Sequence, residues 1–150
     1  MQSGELAPDF ELADQHGTPR SLSGLLTGGV VVLFFHPAAM AAGCGAENRH
    51  FRDLANRFAT LGAQPVGISP APVDEQSRFA AENSLGFPLL SDGNAEVARE
   101  FGVRRGFGPL PVKRHTFVLD RDRRVLHVIR SEFRTAAHAD RTIEFLRARN

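Results

Sequence analysis

The chain has 150 residues, 42% of them hydrophobic, and 18 Lys and Arg against 17 Asp and Glu give a formal charge of +1. That length and apolar content suit one domain, residues 1–150, with an ordinary core, and a charge so near zero supplies no field that would select nucleic acid or anionic lipid. One cysteine forbids an internal disulfide, and Met1 to Phe10 lack a signal-peptide pattern, so a cytoplasmic location is expected.

Taken in chain order, Ala7 to Ser23 alternates Phe10 and Leu12 with polar residues and turns at Gln15-His16-Gly17, which predicts a short hairpin at an edge. After Gly28-Gly29 come an apolar strand, Val30 to Phe35, a loop from His36 to Gly43, a helix from about Cys44 to Leu61 and a second strand from Gln64 to Ser69. These make a βαβ unit. The pattern then predicts a helix over Val73 to Asn83, a strand at Phe87 to Leu90 and a helix over Asn94 to Phe101, with Asp92 or Asn94 as cap and Gly102 as stop. Gly102 to Val112 is too rich in Gly and Pro for regular structure. Strands at His115 to Leu119 and Val125 to Ile129 flank the polar turn Asp120 to Arg124, and Ala136 to Arg149 forms a final helix. The sum is an α/β fold: a mixed sheet with helices on both faces. The longest apolar run falls far short of the roughly 18 residues of a membrane span.

Cys44 falls where strand and loop give way to a helix. Unpaired first-turn amides and the positive end of the helix dipole favour an anion there, so the thiol pKa should fall below its free value of roughly 8.5. The alternative is an inert, small core residue, a common fate of a lone cysteine. A metal centre built on Cys44 with His36, His50 and His115 matches no zinc spacing. No metal or other cofactor is expected.

The loop His36-Pro37-Ala38-Ala39-Met40-Ala41-Ala42-Gly43-Cys44 resembles the active-site loop of peroxiredoxins, and most closely that of their bacterioferritin-comigratory, or Q-type, group. The resemblance runs through Leu6-Ala7-Pro8-Asp9-Phe10, Phe51-Arg52-Asp53, Gly67-Ile68-Ser69-Pro70, Phe87-Pro88-Leu89-Leu90-Ser91-Asp92 and Arg114-His115-Thr116-Phe117-Val118-Leu119-Asp120. It implies a thioredoxin-like fold, an antioxidant oxidoreductase that reduces hydroperoxides through a cysteine sulfenic acid, and a monomer. By the same resemblance Cys44 is the nucleophile, Arg114 holds thiolate and peroxide, Pro37 shields the sulfur, Glu47 positions Arg114 or the peroxide, and Ala41 and Gly43 line the substrate pocket.

Read from the residues alone, each role has a plainer counterpart. Arg114 can be a solvated arginine beside Lys113, Pro37 a strand terminator, and Glu47 a first-turn acid that complements the helix dipole.

Two positions depart from the family pattern Pro-x-x-x-Thr-x-x-Cys and its recycling cysteine. Ala41 stands where the family has Thr, removing a polar group from the place where charge develops; by analogy with loss of an oxyanion-hole donor, the rate cost is on the order of 10² to 10³. Ala42 replaces the proline that usually follows and leaves the loop less rigid. Arg49 occupies the position where many Q-type relatives carry a second cysteine. Thioredoxin, glutaredoxin or a small thiol must then reduce the sulfenic acid, a one-cysteine mechanism. Arg49 itself is expected at the surface. Ser69 and Thr116 are candidates to replace the missing hydroxyl. The competing function is a weakly active or non-catalytic peroxiredoxin-like redox sensor or binding protein. A thioredoxin-type disulfide reductase is disfavoured because it needs Cys-x-x-Cys.

Overall fold

Strand β3 (Val30–Phe35) is the middle of a five-stranded sheet in the computed structural model of the chain, which describes residues 1–37, 44–106, 111–132 and 134–149. The strand order is β5-β4-β3-β6-β7, where β4 is Ala63–Ser69, β5 Leu89–Ser91, β6 His115–Leu119 and β7 Val125–Arg130. β3 pairs parallel with β4 and antiparallel with β6, giving the expected mixed sheet. A separate antiparallel hairpin joins β1 (Glu11–Ala13) to β2 (Pro19–Ser21).

The unbroken apolar run of β3 is explained by cover on both faces. Val31, Leu33 and Phe35 enter one core cluster with Leu22, Leu25 and Leu26 of α1 (Leu22–Leu26) and Val97 and Ala98 of α5 (Glu96–Glu100). Val32 and Phe34 enter the other, with Phe51 of α2 (Cys44–Asp53), Phe58 of α3 (Ala55–Thr60), Phe79 and Ala80 of α4 (Val73–Glu82), and Ala139, Ile143 and Leu146 of α6 (Thr135–Arg149). The alternation follows directly from the period of two along a strand. Phe34 and Phe51 stack with ring centroids 4.1 Å apart, which fixes α2 against the middle of the sheet.

Three expected boundaries shift. The single helix predicted from Cys44 to Leu61 is two, α2 and α3, interrupted at Leu54 (φ −100°, ψ 7°). The Leu54 amide donates to both His50 O and Phe51 O, the tightened last turn of a helix end. The strand predicted from Phe87 begins at Leu89, because the Gln15 side chain takes the place of a neighbouring strand: its Nε2 donates to Phe87 O at 3.0 Å and its Oε1 accepts from Leu89 N at 2.8 Å. The helix predicted from Asn94 begins at Glu96. Ala95 sits in the left-handed region at φ 54°, and the Asp92 carboxylate rather than Asn94 accepts from the amides of Val97 and Ala98. Among the described residues no helix is long and apolar enough to cross a membrane.

Candidate active site

The sheet topology positions the site. α2 begins nine residues beyond the end of β3, and the antiparallel register Phe34↔Thr116 sets the start of β6 beside the end of β3. Cys44, first residue of α2, and Arg114, just before β6, therefore meet. The Arg114 guanidinium donates from Nη2 to Cys44 Sγ at 3.1 Å and from Nη1 to Glu47 Oε1 at 3.0 Å. Glu47 reaches the same cation because three residues on a helix bring a side chain back to nearly the same face. The group is enclosed, with relative exposures of 0% for Cys44, 1% for Glu47 and 4% for Arg114.

Arg114 is anchored at its backbone as well. Its amide donates to Glu132 Oε2 at 2.8 Å, and Glu132 Oε1 accepts from Arg105 Nη2 at 2.6 Å. Asn48 Nδ2 donates to the Cys44 carbonyl at 2.9 Å within α2.

Burial dominates the electrostatics. It pushes the Glu47 carboxyl up to about 8, against the opposing charge and hydrogen bond of Arg114 and with the Glu132 charge adding to the rise. Glu47 Oε2 has no hydrogen-bond partner. Its neighbour is His138 on the first turn of α6, whose Nε2 lies 3.7 Å away. Burial holds His138 below the usual histidine range, outweighing its hydrogen bond to Ser131. A guanidinium between a thiol and a carboxyl group whose ionisation burial disfavours can offer its charge to the sulfur, an arrangement that favours a thiolate.

The structure thus brings together Cys44, Glu47 and Arg114. Pro37 is buried two residues past the end of β3. Ala41 and Gly43, expected to line the pocket, lie outside the described residues. Arg49 is exposed and donates to Asn83 Oδ1 at 2.8 Å. The two candidate replacement hydroxyls are engaged elsewhere: Ser69 Oγ accepts from Ala71 N and Gln76 Nε2, and Thr116 Oγ1 bonds His138 Nδ1 at 2.7 Å. His50 pairs with Asp140 at 2.7 Å, His36 stacks beside Phe34, and His115 tilts against Phe117. Among the described residues no group of three or more His, Cys, Asp or Glu could hold a metal ion.

Sequence reasoning did not single out His138 or Glu132. A lone histidine on an amphipathic helix and an acid after a strand carry no local signal of the partner they meet; only the packing of α6 and β7 beside Arg114 reveals them.

Residues 3–128 match the AhpC/TSA family. The chain is 38% identical over 149 residues to the chloroplastic peroxiredoxin Q of Arabidopsis thaliana, covering 99% of this chain and 68% of that protein. Its structure is similar to that of peroxidoxin BcpB from Mycobacterium tuberculosis, with a TM-score of 0.95 and 55% identity over 100% of this chain and 99% of the other. The bacterioferritin comigratory protein of Xanthomonas campestris is similar with a TM-score of 0.84 and 30% identity, over 93% and 91% of the two chains.

Proposed function

The chain belongs to the AhpC/TSA family, the peroxiredoxins, with the thioredoxin-like fold of that family, and from that premise we propose that Cys44 is the reacting thiol of a one-cysteine hydroperoxide reductase. Thiol-dependent peroxide reduction is the family's activity, with a peroxide as substrate and a thiol as reductant. The observation that carries the assignment is the Arg114 guanidinium spanning Cys44 Sγ and Glu47 Oε1.

In the first step the Cys44 thiolate attacks the terminal oxygen of R-O-O-H. The S-O bond forms as the O-O bond breaks, leaving Cys44-SOH and RO⁻, which takes up a proton and departs as ROH. Arg114 stabilises the thiolate before attack and negative charge on the departing oxygen during it. Glu47 orients the guanidinium, and Pro37, with no amide proton to offer, shields the sulfur from water.

Recycling needs two equivalents of thiol. The first attacks Cys44-SOH, forming a mixed disulfide and releasing water. The second attacks that disulfide, returning Cys44 as a thiol and leaving the reductant oxidised. The reading of an external reductant rests on the cysteine count, one in 150 residues. Thioredoxin, glutaredoxin or a small thiol would serve, and a lone free thiol suits the reducing cytoplasm. We take the working form as a monomer. The Xanthomonas campestris relative is described by its alkyl peroxide reduction, and alkyl hydroperoxides are the substrate class we assign here.

The test is the rate at which hydrogen peroxide or an alkyl hydroperoxide oxidises Cys44, followed by quenched intact-mass analysis with a sulfenic-acid trap. The expected result is oxidation far faster than that of free cysteine, with sulfenate as first product and repeated turnover once a thiol reductant is added. A rate equal to free cysteine overturns the proposal and leaves a redox-sensing or binding role for the fold.

A further inference from the structure

His138 is fully buried and takes no part in the chemistry above. Its Nε2 lies 2.7 Å from the Ser131 carbonyl, which can only accept, so Nε2 carries a proton. Its Nδ1 lies 2.7 Å from Thr116 Oγ1. Burial, with the charges of Arg114 and Arg141, holds the ring below the usual histidine range against its hydrogen bond to Ser131 and the charge of Glu132, which favours the neutral form. Nδ1 is then bare and the Thr116 hydroxyl donates to it. The ring is clamped from both sides, and its one N-H is committed to Ser131.

The consequence falls on Glu47. One carboxyl oxygen accepts from Arg114, and the other faces that committed N-H across 3.7 Å without a hydrogen-bond partner. A buried carboxylate is stabilised by each donor that reaches it, and an N-H held at 3.7 Å supplies only its dipole, which eases ionisation part of the way without the full hydrogen bond that would hold the carboxyl ionised. The charged and titratable groups around Glu47 are Cys44 on its own helix, Arg114 before β6, Glu132 after β7 and His138 on α6. Of these Arg114 is the cation shared between Glu47 and Cys44, so whatever keeps Glu47 neutral leaves more of its charge for the sulfur.

We propose that His138 is a positioning residue for the reaction of Cys44: clamped by Thr116 and the Ser131 carbonyl, it sets the charge on Glu47 and thereby the share of the Arg114 charge that reaches the thiolate. The inference rests on Cys44 being the reacting thiol.

The experiment is the pH profile of Cys44 oxidation by hydrogen peroxide in the full chain. Wild type is expected to show a falling alkaline limb near pH 8, where Glu47 ionises and competes for Arg114, and Glu47→Gln to abolish that limb. His138→Phe keeps a ring and removes the N-H, so the limb moves upward by about half a pH unit or more. His138→Gln restores an N-H near the same place and brings the limb back. A merely structural histidine would lower stability and leave the limb where it is. An unmoved limb in His138→Phe, or a wild-type profile without a limb that Glu47→Gln removes, overturns the proposal. Should His138→Phe not fold, ring nitrogen shifts of wild type decide: the neutral Nε2-H tautomer from pH 6 to 9 is required, and an imidazolium or Nδ1-H form overturns it. Oxidation at the rate of free cysteine at every pH would instead sink the assignment of Cys44, and the ring measurement stands apart from that outcome.

Discussion

Cys44 and Arg114, 70 positions apart in sequence, are joined by a 3.1 Å N-H···S contact inside the protein. One planar guanidinium meets the sulfur with one arm and Glu47 with the other. A lysine in that place is a single point charge that cannot span both groups. Arg114→Lys is therefore expected to slow Cys44 oxidation by about 10-fold or more, and Arg114→Ala by on the order of 10² to 10³, the cost of one preorganised donor at developing charge. Pseudo-first-order rates with hydrogen peroxide measure both. A rate within twofold of wild type in Arg114→Ala would remove the arginine from the chemistry.

Position 41 gives a prediction in the opposite direction. Ala41 supplies no hydroxyl where the family pattern has Thr, and Ser69 and Thr116 have theirs bonded elsewhere. Ala41→Thr is expected to accelerate oxidation by up to about 10² to 10³. Stopped-flow rates of the variant and wild type, at equal peroxide and pH, test it. An unchanged rate would mean that the site already supplies the contact from another group.

These expectations rest on a site only partly legible in the sequence. The bounds of β3 follow from a continuous apolar run, since a strand covered on both faces leaves an unambiguous pattern, and β6 is marked by the apolar stretch Phe117 to Leu119 after the β-branched Thr116. The break at Leu54 has no Gly or Pro to mark it, so periodicity runs on through it. Phe87 reads as strand because it is apolar, yet a glutamine 72 positions away takes its carbonyl. The same division holds in the site. Cys44, Glu47 and Arg114 stand in local patterns, whereas His138 and Glu132 acquire their partners from the packing of α6 and β7. Local chemistry can be read along a chain; contacts between its distant parts arise from the fold.

Gln15 tests that last point directly. Its side chain is buried and satisfies both Phe87 O and Leu89 N. Gln15→Ala leaves a buried acceptor and a buried donor without partners, at about 1–3 kcal/mol for each such group. Urea unfolding should show a midpoint lowered by about that loss divided by the slope, with the slope unchanged. A loss below about 0.5 kcal/mol would mean that water replaces the amide and that β5 does not depend on the hairpin.

Stability should also carry the mark of Glu47. Its carboxyl, pushed up to about 8 in the fold from an ordinary value of 4.5, binds its proton more firmly in the native than in the unfolded chain. The contribution is complete below pH 4.5 and is lost as pH rises through 8, on the order of a few kcal/mol in all. His115 acts oppositely. Burial, with the Arg130 charge adding, lowers it from 6.5 to about 4, so its contribution is present above 6.5 and lost as pH falls toward 4. The two overlap between 4.5 and 6.5 with opposite slopes, and above 6.5 the Glu47 slope stands clear of His115. Unfolding free energy measured by urea from pH 6.5 to 8 should therefore carry a falling contribution from Glu47 in wild type, set against the rising one of a Cys44 thiol held below its free value. In Glu47→Gln, which keeps an oxygen to accept from Arg114 but cannot ionise, the falling contribution is absent, so the slope over that range should be more positive than in wild type. Equal slopes in the two proteins would place the proton elsewhere and remove the charge-neutral Glu47 from the account of the site.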